Sequence, residues 1–245
     1  MTYKITHHTR LTALLIFFTF SPFHFFTFSA FGQKRQMAEA ENYLRSGKNY
    51  DKAEQLMTKL LQDSANQQNP RIYDLWLQAV EKQYQAINEK MYKRQAVDTL
   101  KLFTLNRRIF SIAETLDSID AKPDKKGRVD PGYRKDNSHR LLGYRPNLFF
   151  GGAYHLRKGN FPTAYDFFET YIDCARQPLF TYHDLVDTDT RVGEAAYWAT
   201  YCGYRMNDPV LTLRHHELAR RDTTKLDYTL QYVAEAWKQL GDKQR

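Results

Sequence analysis

The chain has 245 residues, 42% hydrophobic and 15% aromatic, with 36 Lys and Arg against 28 Asp and Glu, a formal net charge of +8 and two cysteines. That length admits one medium domain or a short array of repeats, and two cysteines exclude a multi-bridge disulfide framework. The basic balance suits acidic partners or anionic surfaces through long-range steering, although ordinary solubility accounts for it as well.

Lys4 and Arg10 flank the approach to Leu11–Phe20, a mostly apolar run, and a Phe-rich stretch from Phe23 to Phe28 leads to Ala30-Phe31-Gly32. A basic start, an apolar middle and a small-x-small end predict a secretory signal peptide over 1–32, cleaved before Gln33. Residues 11–31 are also long enough to span a bilayer, but Ser21, Pro22 and His24 interrupt the run and favour cleavage over an anchor. No Cys follows the small residues, so the segment does not resemble a lipoprotein signal. The expected location is the periplasm or cell envelope of a Gram-negative bacterium, with no membrane contact after cleavage. Residues 33–245 then carry a net charge of about +6.

From Gln36 to Gln62 the chain reads helix, turn, helix: Ala40 and Tyr43 precede Gly47, and Tyr50, Ala53, Met57, Leu60 and Leu61 follow it. The turn Ser46-Gly47-Lys48-Asn49 supplies a residue able to take positive φ. Pro70 marks the next boundary. Residues 71–118 predict two longer helices, one with an apolar face of Ile72, Leu75, Trp76, Ala79, Val80 and Tyr84, the other with a broader face from Leu102 to Leu116. From Lys122 to Gly132 there is no apolar period and there are two prolines and two glycines, so 119–146 is expected to be a solvated basic loop insertion.

Asn147–Cys174 predicts two short amphipathic helices hinged at Gly159-Asn160. Gly151, Gly152 and Ala153 should admit close approach of a neighbouring helix. Ala164, Phe167, Phe168, Tyr171 and Ile172 supply the bulk at helical spacing, with Pro162 in the first turn. A second insertion follows over 176–190. Its His183, Asp184, Asp187 and Asp189 match neither a calcium-loop pattern nor a paired-histidine zinc helix, so solvation and capping explain them and no metal is assigned. Helical period returns at Glu194, and Asp208 then caps a further helix that begins at Pro209 and carries Leu211, Leu213, His216 and Ala219. The last helical stretch, Leu230–Leu240, reads as an opening helix without its partner; a shortened chain is the expectation, since Leu230, Val233 and Trp237 are not the polar outer face of a solvating cap, which is the alternative.

Leu148, Gly152, Gly159, Phe161, Ala164 and Phe168 fall in order on the small and large positions of the tetratricopeptide repeat, and this stretch resembles that family. Residues 36–62 resemble a first repeat with one extra turn residue. Thr200 and Ala234 take the small slot of Gly152 in later matches, one 34-residue period apart. The resemblance implies an all-α fold, a right-handed α-α superhelix of helical hairpins over 33–245 with loop insertions near 120–140 and 176–190. It also implies a concave surface that binds peptides or proteins. Carrying the family's ligand-facing positions onto Gly152, Thr200 and Ala234 gives a peptide groove of Phe149, Arg157, Tyr197, Tyr201, Tyr204, Arg205, Tyr228 and Lys238. The family's carboxylate clamp pattern is missing, which argues against a chaperone-tail ligand.

No nucleophile elbow, phosphate-cradling glycine loop or His-Glu-x-x-His occurs. His155 is expected to pack rather than to do acid-base work. His215 and His216 are adjacent and point about 100° apart on a helix, so they cannot jointly hold one ion. The expected function is therefore a non-catalytic scaffold for a protein or peptide partner with aromatic and acidic character. Catalytic residues, cofactors and nucleic acid are not assigned. An envelope enzyme with an unrecognised site, such as Cys174 or Cys202 beside a histidine, or a membrane-surface protein, is the alternative.

Overall fold

A computed structural model of the chain describes residues 23–243, with side chains described over 32–241. The described residues form helices and no strand. Most of the predicted signal peptide, residues 1–22, lies outside the described residues. The first helix, α1 (Phe23–Ser46), runs without a break through the expected cleavage point at Gly32-Gln33. Among the described residues, no helix is long and apolar enough to cross a membrane.

Helix α1 turns at Gly47, whose φ of 72° is the left-handed conformation expected there, into α2 (Tyr50–Leu60). The two long helices that follow are α3 (Pro70–Tyr92) and α4 (Thr99–Asp120). After α5 (Arg134–Leu142) come α6 (Pro146–Arg157) and α7 (Phe161–Cys174), then the short α8 (Leu185–Thr188). Helix α9 (Arg191–Arg205) precedes two short pieces, α10 (Pro209–Arg214) and α11 (His216–Ala219), and α12 (Leu226–Lys243) ends the described chain. Asx residues next to proline set three of these starts. Asn69, Asn160 and Asp208 each accept a hydrogen bond from a first-turn N–H, at 3.0, 3.3 and 3.0 Å, ahead of Pro70, Pro162 and Pro209.

Each long helix packs on its sequence neighbours: α1 on α2, α2 on α3, α3 on α4, α6 on α7, α7 on α9, and α9 on α10, α11 and α12. Contacts also join α1 to α3, α4 to α6 and α4 to α7. Two apolar clusters result. The smaller joins Ala40, Ala53, Met57 and Leu60 to one face of α3; the larger runs from the other face of α3 through to Tyr232 of α12.

Three local readings need correction. The solvated insertion over 119–146 is only half correct, because 134–142 forms α5 and buries Asn137, Ser138 and Leu141. Its single buried apolar residue gives no period to read, since ion pairs hold it: Arg134 makes a two-pronged contact with Asp117 at 2.7 and 2.8 Å, and Arg140 lies 2.9 Å from Glu81. The second insertion is docked as well. Leu179 and Phe180 are fully buried and the Phe180 ring stacks on Phe110. Finally, the helix expected from Pro209 breaks at His215, whose φ of −116° separates α10 from α11.

Close approach occurs where small residues predicted it, with different neighbours. A Cβ on Gly151 or Gly152 would lie 2.6 or 2.7 Å from the rings of Phe167 and Phe168, so α6 is notched for aromatic rings. Backbone contact occurs instead at Gly203 of α9, where a Cβ would meet the Thr212 nitrogen at 2.5 Å.

Candidate functional site

Helices α9 and α12 place side by side a set of aromatic side chains. Residues 197, 201 and 204 share one face of α9 because they recur at four- and three-residue spacing. The Tyr232 ring from α12 joins all three, with centroids 6.4 Å from Tyr197, 5.7 Å from Tyr201 and 4.5 Å from Tyr204, the last a stacked pair. Trp198 packs edge-on to Tyr197 and Tyr201, and Phe161 of α7 meets Tyr201 edge-on at 6.1 Å. Arg205 closes this patch. Its guanidinium lies over Phe161 at 4.4 Å and donates to the Tyr201 hydroxyl at 2.6 Å. Among the described residues Arg205 has no acidic partner, and it stands at an exposed position.

The eight predicted groove residues divide. Tyr201, Tyr204 and Arg205 converge; Tyr204 is 37% exposed, and Tyr228 stands 54% exposed one turn before Tyr232. Tyr197 joins the cluster from below as a buried core residue. Phe149 is buried elsewhere, against Phe168 and Tyr171, with Arg191 over its ring. Arg157 and Lys238 are exposed at the end of α6 and on α12, outside the aromatic set. Tyr232, Trp198 and Phe161 were missed. The cause for Tyr232 is register: Ala234 was placed in the small core slot, but the buried face of α12 is Thr229, Tyr232 and Ala236, and Ala234 is exposed. The three- and four-residue spacing of Thr229, Tyr232 and Ala236 was the available signal.

A second, polar site lies between α4 and α7, a cavity of about 400 Å³ lined by Arg107, Arg108, Ser111, Glu114, Asp166, Glu169 and Thr170. Glu169 and Asp173 are one turn apart on the flank of α7, about 100° round the helix from Phe168 and Ile172, which are buried in the core. The break at His215 turns its imidazole inward, to 3.9 Å from Glu169 Oε1 and 6% exposure. Glu169, Asp173 and His215 each present a ligand-type atom within 4.8 Å of the others. Arg214 pairs with Glu169 Oε1 at 2.9 Å, whereas His215 Nε2 and the Tyr165 hydroxyl have no hydrogen-bond partner among the described residues. Burial pushes the Glu114 carboxyl up to about 7, with the charge of Asp173 adding to it. Burial also lowers the His215 pKa, which keeps the imidazole neutral.

The remaining singled-out residues are accounted for by packing. His155 is buried and stacks on Phe167 at 5.4 Å. His216 points away from His215, toward Glu217 at 3.0 Å. Asp189 pairs with the buried Arg145 and accepts from the Tyr171 hydroxyl at 2.6 Å. Cys174 and Cys202 are buried as free thiols, each pushed up to about 12 chiefly by burial. A thiol in that condition is a poor nucleophile at neutral pH. Comparison with protein-family models, with curated proteins and with solved structures finds no match for this chain.

Proposed function

We propose that the chain is a non-catalytic binding scaffold: an α-α superhelix of tetratricopeptide-like hairpins over 33–245, exported to the envelope of a Gram-negative bacterium by the segment 1–32. Its partner is an extended peptide or protein segment with aromatic and acidic side chains. Support for the array comes from the order of contacts, in which each long helix packs on its sequence neighbours and α1–α3, α4–α7 and α9–α12 also touch. Stacked hairpins that cannot bury their apolar faces alone produce such contacts.

The observation that carries the binding reading is the cluster in which the Tyr232 ring joins Tyr201 and Tyr204, with Arg205 held against Tyr201 and Phe161 at its edge. Tyrosine offers large contact area with a polar tip. An arginine held against two rings with donors left over grips a carboxylate in two places. The buried Tyr197 supports the patch without lining it, and Phe149 is no part of it.

The test uses a partner isolated from an envelope extract and measures its affinity for wild type and for Arg205→Ala with Tyr228→Ala. Both side chains are exposed, so helicity by circular dichroism should not change. The expected loss is about 2 kcal/mol or more, the scale of an interface hot spot. Undiminished binding removes this patch from the account.

A further inference from the structure

We propose that Glu169, Asp173 and His215 form a binding site for one divalent transition-metal ion, zinc by preference. Two carboxylates one turn apart on α7 face an imidazole delivered by the break between α10 and α11, and their ligand atoms lie within 4.8 Å of one another. The second observation is the histidine itself. It is 94% buried by its 6% exposure, its Nε2 has no hydrogen-bond partner among the described residues, and it is aimed at Glu169 Oε1 from 3.9 Å. A buried polar atom without a partner is costly, and the Glu169 oxygen that it faces is paired only with the half-exposed Arg214, at 2.9 Å. An ion at this point satisfies His215 Nε2 and offsets the repulsion between the two carboxylates.

The donor set decides the metal. An imidazole nitrogen with two carboxylate oxygens suits zinc, whereas magnesium and calcium favour oxygen ligands alone. Three protein ligands also leave a fourth tetrahedral position for water or a ligand. Glu169 lines the adjoining cavity with Arg107, Arg108 and Ser111, so the ion would sit at the edge of that space. The Tyr165 hydroxyl is buried near Glu169 and has no hydrogen-bond partner among the described residues, which makes it a supporting group for the carboxylate. Arg214 approaches Glu169 at 2.9 Å, but its side chain is half exposed and free to swing into solvent when the ion enters.

Equilibrium dialysis of the full chain against zinc, with magnesium as the competing ion, tests the site. The expected result is one zinc per chain in wild type and in His216→Ala. Binding should be at least about tenfold weaker in His215→Ala, Glu169→Gln and Asp173→Asn, since even changes behind the ligands cost that much. Zinc should also raise the thermal midpoint of wild type and leave that of Glu169→Gln unmoved. Should His215→Ala fail to fold, the two near-isosteric carboxylate variants decide the question. Absence of stoichiometric zinc binding, or binding that all three variants retain, overturns the proposal. Equal displacement by magnesium overturns the assignment to a transition metal.

Discussion

At the scale of single residues, the polar groups inside the helices define the chain more sharply than its apolar ones. Glu81 is 3% exposed on α3, and burial pushes its carboxyl up to about 7 even though the Arg140 guanidinium, 2.9 Å away, acts in the opposite direction. A carboxyl with a raised pKa in the folded state holds its proton there after the unfolded chain has released it. Its contribution to stability is therefore complete below about 4.5, the ordinary value, and is lost as pH rises toward about 7. Glu81→Gln has no proton to release. In urea unfolding followed from pH 4 to pH 8, the variant should gain on wild type across that window by the order of 2 kcal/mol. Parallel stability curves over the whole range would show that Glu81 titrates alike in both states. The Arg145–Asp189 pair illustrates why such groups escape sequence reading. Burial alone would raise the Asp189 carboxyl, but hydrogen bonds from Tyr171 and Arg145, with the arginine charge, hold it below the ordinary range. In the sequence Asp189 is one more acid in a polar stretch, because its partner lies 44 residues away.

At the scale of elements, the helices were legible where apolar period and punctuation agreed. Pro70 and Pro162 located the starts of α3 and α7, Asp208 with Pro209 located α10, and the paired runs of α6 and α7 fell where their apolar spacing placed them. Period gave no help for α5, which is held by arginine-carboxylate pairs, or for the break at His215, which becomes intelligible only when Glu169 and Asp173 are seen across from it. The rotation of α12 failed for a third reason. Ala234 looks like a core residue by its size alone, whereas the bulky Tyr232 occupies the inward position because α9 leaves room for a ring there. The hinge between α9 and α10 shows how one missing side chain fixes an element. Gly203 lies against the Leu211–Thr212 backbone, and a Cβ there would be 2.7 Å from the Leu211 carbonyl carbon as well as 2.5 Å from the Thr212 nitrogen. Backbone cannot rotate aside as a flexible side chain can, and overpacking of this kind costs about 1–3 kcal/mol or more. Gly203→Ala should therefore lower the thermal midpoint by several degrees. A midpoint unchanged by Gly203→Ala would mean that α10 is free to slide along α9.

At the scale of the whole molecule, the helical packing is uneven, and its weakest joint can be placed on α3. The smaller cluster has seven buried residues, Ala40, Ala53, Met57, Leu60, Ile72, Leu75 and Ala79, while Tyr73, Leu77, Val80 and Tyr84 on the other side of the same helix belong to the larger one. Among the described residues, only Leu61 and Trp76 pack against both. Polar ties across this joint converge on Glu54 of α2, which accepts from Gln83 at 2.6 Å and from the Trp76 indole at 3.4 Å, both on α3, and pairs with Arg108 of α4. Segments with fewer buried apolar contacts open at lower free energy, so the α1–α2 end, which holds the smaller cluster among the described residues, opens first. Trp76→Ala removes one of the two apolar bridges together with a donor to Glu54. Native-state hydrogen exchange should then quicken in α1 and α2 by at least about tenfold, equivalent to about 1.4 kcal/mol of local opening, while α7 and α9 keep the wild-type rates. Equal acceleration in every helix would indicate one cooperative unit from α1 to α12, in which the two clusters melt together despite the narrow apolar bridge between them.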